Sequence, residues 1–187
     1  MPTKIQAPLA KEVVKTLRAG DRVLISGTIY TARDAAHGRM IEALERGEAL
    51  PFDIAGQVIY YAGPAPAKPG EIIGPCGPTT SGRVDAYTPR LLDLGLTGMI
   101  GKGERTDAVV EAMKRNTAVY FAAVGGAAAL IAQCVTAAAP VAYEDLGTEA
   151  IVRLTVRDLP AVVVIDCEGN NAYRTGKAAY RTIENQL

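Results

Sequence analysis

The sequence predicts a single domain of the α/β class. Three observations lead there. Short runs of β-branched and aromatic residues (VLIS, QVIYYA, TAVYFAAV, AVVVID) alternate along the middle of the chain with segments whose apolar residues recur at helical spacing. The 187 residues suit one core, and the proline-rich Gly63 to Gly70 (GPAPAKPG) is too short to link independent domains, so the domain is expected to span 1–187. With no Trp and two Phe, the core must be built from Ala, Val, Ile and Leu.

The elements follow in order. Residues 4–18 place Ile5, Leu9, Val13, Val14 and Leu17 among lysines, and the later part reads as a short amphipathic helix ending near Gly20. Asp21 to Ser26 is a strand, and Gly27 to Tyr30 is a loop. Thr31-Ala32-Arg33-Asp34 has the pattern of a capping box, opening a helix that carries Met40, Ile41 and Leu44 on one face and stops at Gly47. Gln57 to Ala62 is a strand. Thr88-Pro89 starts a short helix that Gly95 ends. Thr97 to Ile100 is a strand with a tight Gly101-Lys102-Gly103 turn behind it. Asp107 to Arg115 is a helix burying Val109, Val110 and Met113. Thr117 to Val124 is a buried strand. Gly125-Gly126 precedes an Ala-rich helix to about Ala138, 151–156 and 161–166 are two strands, and the tail from Lys177 is helical.

One stretch fits no element. Gly74-Pro75-Cys76-Gly77-Pro78-Thr79-Thr80-Ser81-Gly82-Arg83-Val84-Asp85 admits no apolar face at either period. Glycines let backbone approach a ligand, and free N–H groups in such loops hold anions. The plainer alternative is a long surface turn.

Composition excludes several classes. Lys plus Arg equals Asp plus Glu at 20 each, which gives no electrostatic footprint for nucleic acid or an anionic membrane. No apolar run reaches membrane-spanning length, and 1–9 carries no signal-peptide core, so the expected location is cytoplasmic. Cys76, Cys134 and Cys167 are far apart and lack CxxC spacing, which speaks against a disulfide framework or a zinc site. Cys76 lies in the Gly/Pro loop, where it is either a ligand or nucleophile or a small residue filling a tight turn.

Three cations sit in turns: Arg33 after a strand, Arg83 in the central loop and Lys102 in GKG. Loops after strands are where α/β sheets bind ligands, and Arg and Lys together suit an anion. Three unrelated surface cations are the competing reading. Phosphate-loop patterns fail, since neither GPCGPTTSGR nor GMIGKGERT fits GxxxxGK[ST]. His37, the only histidine, follows Arg33 by one helical turn, with Asp34 three residues before it.

These segments together carry a resemblance. SGTIYTARDAAHGRM, GPCGPTTSGRVDAYTPRLLDLG, GMIGKGER, YFAAVGGAAAL and YEDLGTEAI…LPAVVVID…GN resemble the β subunit of class I fumarase, and are similar to the β subunit of L-tartrate dehydratase, from about Leu9 to Asn171. The combination of TARDAAH, GPTTSGR and GKG in this order makes the likeness specific. Val84 and the residues after Gly103 depart from the family pattern, where Met and an Arg-Ser pair are common. The resemblance implies a compact swivelling-type β/β/α domain. It implies a hydro-lyase that hydrates fumarate to malate in the tricarboxylic acid cycle, with L(+)-tartrate as the alternative substrate. A [4Fe–4S] cluster would be held by a partner α subunit, in an α2β2 assembly, and no metal by this chain. Arg33, Arg83 and Lys102 would clamp substrate carboxylates, Thr79 would be the catalytic base, and Asp34, His37 and Thr80 would support them. Outside that class, the competing reading is a non-catalytic anion-binding or scaffold domain.

Overall fold

The computed structural model describes residues 1–180. Seven strands form one sheet: β1 Thr3–Ala7, β2 Arg22–Thr31, β3 Val58–Tyr60, β4 Gly98–Gly101, β5 Val119–Ala122, β6 Val135–Ala142 and β7 Ile151–Ile165. The helices are α1 Lys11–Val14, α2 Asp34–Glu45, α3 Thr88–Asp93, α4 Asp107–Asn116, α5 Ala128–Gln133 and α6 Ala172–Tyr180. The expected α/β class is the one observed. Lys177 to Tyr180 lie in α6, and the remainder of the tail, 181–187, is outside the described residues.

Strands β1 to β5 run parallel to their neighbours, and β7 runs antiparallel to β2, β5 and β6. Strand β2 pairs with β3, β3 with β4, β4 with β5, β5 with β7, and β7 again with β2. The circuit of pairings therefore closes, which removes open edges from these five strands. Alternation along the strands divides the apolar residues into two cores. Val58, Tyr60, Ile100, Val119 and Phe121 join Val14, Leu17 and Ile131 in one. Ile59, Tyr61, Met99 and Tyr120 face the other, against Met40 of α2, Leu91 and Leu92 of α3, and Val109 and Met113 of α4.

The structure corrects several expectations. The segment before α1 is strand β1, in which Ile5 and Ala7 are buried and Lys4 and Gln6 exposed. That alternation is too short to register in sequence. Strand β2 does not end at Ser26 but continues through Gly27 to Thr31. Gly27 marks a register shift, with φ of +105° and the Ala7 carbonyl oxygen 2.1 Å from where a Cβ would stand. The glycine is a bulge residue under a close backbone approach, not a strand breaker. The Ala-rich helix stops at Gln133, and Val135–Ala142 pairs with β7 as strand β6. Alanine's helix propensity amounts to tenths of a kcal/mol per residue, and pairing at a sheet edge, where Pro140 is tolerated, overrides it. The two late strands are one, β7, passing through Asp158 at φ of +50°, whose N–H donates to Ser26 Oγ. The capping box is also absent. The N-cap residue of α2 is Arg33, whose own side chain makes no capping bond, and Thr31 Oγ1 instead accepts from Val152 N–H.

Candidate active site

The site grows from strand ends. Register aligns Thr31 of β2 with Tyr60 of β3, and Tyr60 with Ile100 of β4. Two residues past each lie Arg33, Ala62 and Lys102, at the C-terminal ends of three adjacent parallel strands. This is the sheet edge at which parallel α/β proteins bind ligands.

The central loop inserts between two of these ends. Thr79 N–H and Thr79 Oγ1 both donate to the Tyr61 carbonyl oxygen, at 2.7 and 2.8 Å. Lys102 N–H donates to the Thr79 carbonyl, Ser81 N–H donates to the Lys102 carbonyl, and Thr80 bridges Lys102 in parallel. Residues 79–81 thus act as a short extra strand alongside the end of β4. The sequence explains the fit. Ser81 Oγ lies 2.0 Å from where a Cβ on Gly101 would stand, so only glycine at the start of GKG admits it. A 3-10 turn, Ser81–Val84, then carries Arg83 outward.

The three expected cations differ in their surroundings. Arg83 and Lys102 are exposed, and among the described residues no carboxylate pairs with either. Arg33 is largely covered and paired: Nη2 lies 3.3 Å from Glu149 Oε1, and Nε lies 3.8 Å from Asp34 Oδ1. The second Glu149 oxygen, Oε2, accepts from Ala35 N–H at 3.1 Å, so a carboxylate from far along the chain caps α2. Asp34, in the first turn of α2, is favoured there by the helix dipole. Thr80 is exposed beside Thr79.

His37 is fully buried within α2. Nδ1 and the Arg33 carbonyl are 2.8 Å apart, which makes Nδ1–H the donor in the neutral ring and leaves Nε2 an acceptor with no partner among the described residues. Burial lowers the pKa from 6.5 to about 4. The ring lies edge-on to Tyr61, the residue that holds Thr79.

Two groups that sequence reasoning missed sit beneath these loops. Arg105 is buried and pairs with buried Asp85, Nε to Oδ1, at 2.6 Å. Tyr120 OH donates to the Gly103 carbonyl at 2.9 Å and lies 2.8 Å from Ser81 Oγ. The one available signal was weak: Asp85 and Arg105 both fall inside segments of the family resemblance.

The three cysteines lie in different parts of the fold. Cys76 is buried and its thiol is pushed up to about 12 by burial. Burial also raises Cys134 and Cys167, which lie at the end of α5 and after β7. Among the described residues no group of three His, Cys, Asp or Glu side chains could hold a metal ion, and no helix is long and apolar enough to cross a membrane.

Comparison with known proteins gives this architecture its relatives. The chain is 40% identical over 155 residues to the class I aerobic fumarate hydratase of Salmonella typhimurium, which covers 82% of this chain and 27% of that protein. It is 38% identical over 173 residues to the corresponding Escherichia coli protein, covering 91% of this chain and 31% of that one. The chain thus spans less than a third of these fumarate hydratases. Against a putative L(+)-tartrate dehydratase subunit beta of Methanocaldococcus jannaschii it is 38% identical, with 88% of each chain covered. The family model for the fumarase C-terminus matches residues 2–176, and the chain belongs to that family.

Proposed function

We propose that this chain is the substrate-binding, proton-abstracting part of a hydro-lyase that adds or removes water across fumarate and malate. The observation that carries the reading is the placement of Arg33 and Lys102 past the ends of β2 and β4, with Thr79 of the inserted loop bonded to Tyr61 just past β3 between them and Arg83 in the turn that follows. A dicarboxylate offers two planar anions. An arginine fork binds one bidentately, and a lysine supplies a point charge. Removing a proton beside a carboxylate adds a second negative charge to it in the transition state. Fixed cations stabilise that charge more than the ground state, which is what lowers a barrier.

In this reading Thr79 takes the proton and Arg83 favours the ionised hydroxyl. His37, neutral at working pH, and Asp34 shape the α2 entry that carries Arg33, and Thr80 lines the same loop. The [4Fe–4S] cluster belongs to a separate α subunit in an α2β2 complex, a reading supported by the match over most of both chains to a putative subunit beta. The closed circuit of strands, with α2, α3 and α4 packed against one core, supports assignment to the swivelling β/β/α type, and a cytoplasmic place in the tricarboxylic acid cycle is part of the same reading.

A second reading, L(+)-tartrate dehydratase subunit beta, is favoured by the 88% coverage of the archaeal relative. Both substrates present two carboxylates at similar separation. The deciding experiment is co-expression with the cluster-bearing subunit and comparison of turnover on malate and L-tartrate. Faster turnover of malate is expected. Turnover of neither would remove the enzyme reading and leave a non-catalytic anion-binding domain. Anaerobic reconstitution of this chain alone should yield no stoichiometric cluster.

A further inference from the structure

We infer that Arg105 is a positioning residue that locks the loop carrying Arg83 and the turn carrying Lys102 into one unit; this rests on the site assignment made under Proposed function. Arg105 makes contacts in three directions from a buried position. Nε donates to Asp85 Oδ1 at 2.6 Å, Nη2 donates to Thr88 Oγ1 at 2.9 Å, and Nη1 lies 3.4 Å from Tyr61 OH. The guanidinium also lies over the rings of Tyr61 and Tyr120, at 5.3 and 5.0 Å.

Asp85 is two residues after Arg83, and its second oxygen accepts from Thr106 N–H at 2.7 Å. Ser81, two residues before Arg83, is held by Tyr120 OH, which also holds the Gly103 carbonyl. Tyrosine has one hydroxyl proton. With that proton given to Gly103, Ser81 must donate to Tyr120. Arg83 is therefore bracketed by Ser81 and Asp85, and Lys102 is followed by Gly103, Arg105 and Thr106. These anchors belong to one network, buried at Ser81, Asp85, Arg105 and Tyr120. The exposed cations are tips on a fixed base.

A buried ion pair is often no better than apolar residues of equal volume. Geometry is the better explanation, because the planar fork reaches Asp85, Thr88 and Tyr61 at once, which a lysine cannot do. Arg105 shares no contact with solvent, so it acts through the loops it holds.

The test compares wild type, Arg105→Lys, Tyr120→Phe and Leu17→Ala, each co-purified with the cluster-bearing subunit. Leu17 is buried before the N-terminal end of β2, at the opposite end of the sheet from the site. The readouts are KM and kcat for malate, melting temperature, and amide hydrogen exchange across 79–85 and 101–106. Arg105→Lys is expected to raise KM about tenfold with a smaller change in kcat, and to speed exchange in both segments together. Tyr120→Phe should do the same more weakly, and keeps the test open if the arginine variant does not fold. Leu17→Ala should lower the melting temperature and leave KM and both segments unchanged. If Arg105→Lys and Tyr120→Phe lower the melting temperature while KM and exchange stay at wild-type values, the network is structural only and the inference fails. Absence of turnover in wild type would overturn the hydro-lyase reading instead, and hydrogen exchange would then decide the role of Arg105 by itself.

Discussion

Glu149 divides its carboxylate between two tasks, one oxygen 3.3 Å from Arg33 Nη2 and the other accepting from Ala35 N–H. The side chain that caps α2 thus also fixes the guanidinium at its entry. Gly63 lets that guanidinium lie close, since a Cβ there would stand 3.0 Å from Arg33 Nη1. Arg33 is an oriented arm rather than a free surface cation.

Glu149→Gln keeps shape and an acceptor for Ala35 but removes the charge. Arg33 then loses its fixed orientation, and KM for the dicarboxylate should rise by about threefold to tenfold, because the misaligned hydrogen bond forfeits roughly 0.7–1.4 kcal/mol. Steady-state kinetics of the assembled complex measure it. A fall in KM would mean that Glu149 competes with substrate for Arg33.

Arg83→Lys preserves charge and loses the fork. One oxygen of the bound carboxylate is left without its partner, at a cost of roughly 1.5–3 kcal/mol, about tenfold or more in kcat/KM. Arg83 has no carboxylate partner among the described residues, so little of the effect can come from folding. Equal melting temperatures with reduced kcat/KM are the expected pair of results. Lys102→Ala should raise KM. Unchanged kinetics in the Arg83 variant would take it out of the clamp.

His37 gives the fold a pH dependence. Its folded pKa of about 4 lies below the ordinary 6.5, so between those values the unfolded chain binds a proton that the folded chain refuses. Stability therefore rises with pH across that window and is lost as acid is approached. The full shift corresponds to about 3 kcal/mol. As the chain has one histidine, His37→Phe should flatten the slope of unfolding free energy between pH 4 and 6.5, read by denaturant titration at several pH values. An equal slope in the variant would assign the dependence to carboxylates.

What the sequence disclosed, and what it hid, follows from contact distance along the chain. Arg33, Arg83 and Lys102 stood out because each interrupts a turn of small or hydroxyl residues, and a local pattern is visible locally. Of the strand ends that carry the site, those of β3 and β4 were legible as short apolar runs, whereas β2, which carries Arg33, was read as ending at Ser26 and runs on to Thr31. Glu149 pairs with a residue more than a hundred positions away, and Asp85 with one twenty positions away. No window of sequence holds either pair. The Ala-rich stretch misled for a related reason, because β6 exists only through its pairing with β7.

Thr79 carries the sharpest prediction. Its hydroxyl proton is already given to the Tyr61 carbonyl at 2.8 Å, a contact that any capping threonine would make. To act as base, Oγ1 must give that proton up and hold an alkoxide, which needs positive charge nearby and an acceptor for the proton. Arg83 lies in the following turn, and the Tyr61 carbonyl can accept a proton's hydrogen bond but cannot keep the proton. In the proposed reading the final acceptor is solvent or a group of the cluster-bearing subunit. Thr79→Val preserves shape and removes the hydroxyl. If Thr79 is the base, kcat should fall by about 10²–10⁴-fold with substrate binding largely retained. If it only secures the loop, stability should drop by about 1 kcal/mol and turnover should survive. Thr79 N–H still donates to Tyr61 in the variant, so the loop keeps one of its two bonds there. Activity lost in Thr80→Val but kept in Thr79→Val would move the base to the exposed neighbour.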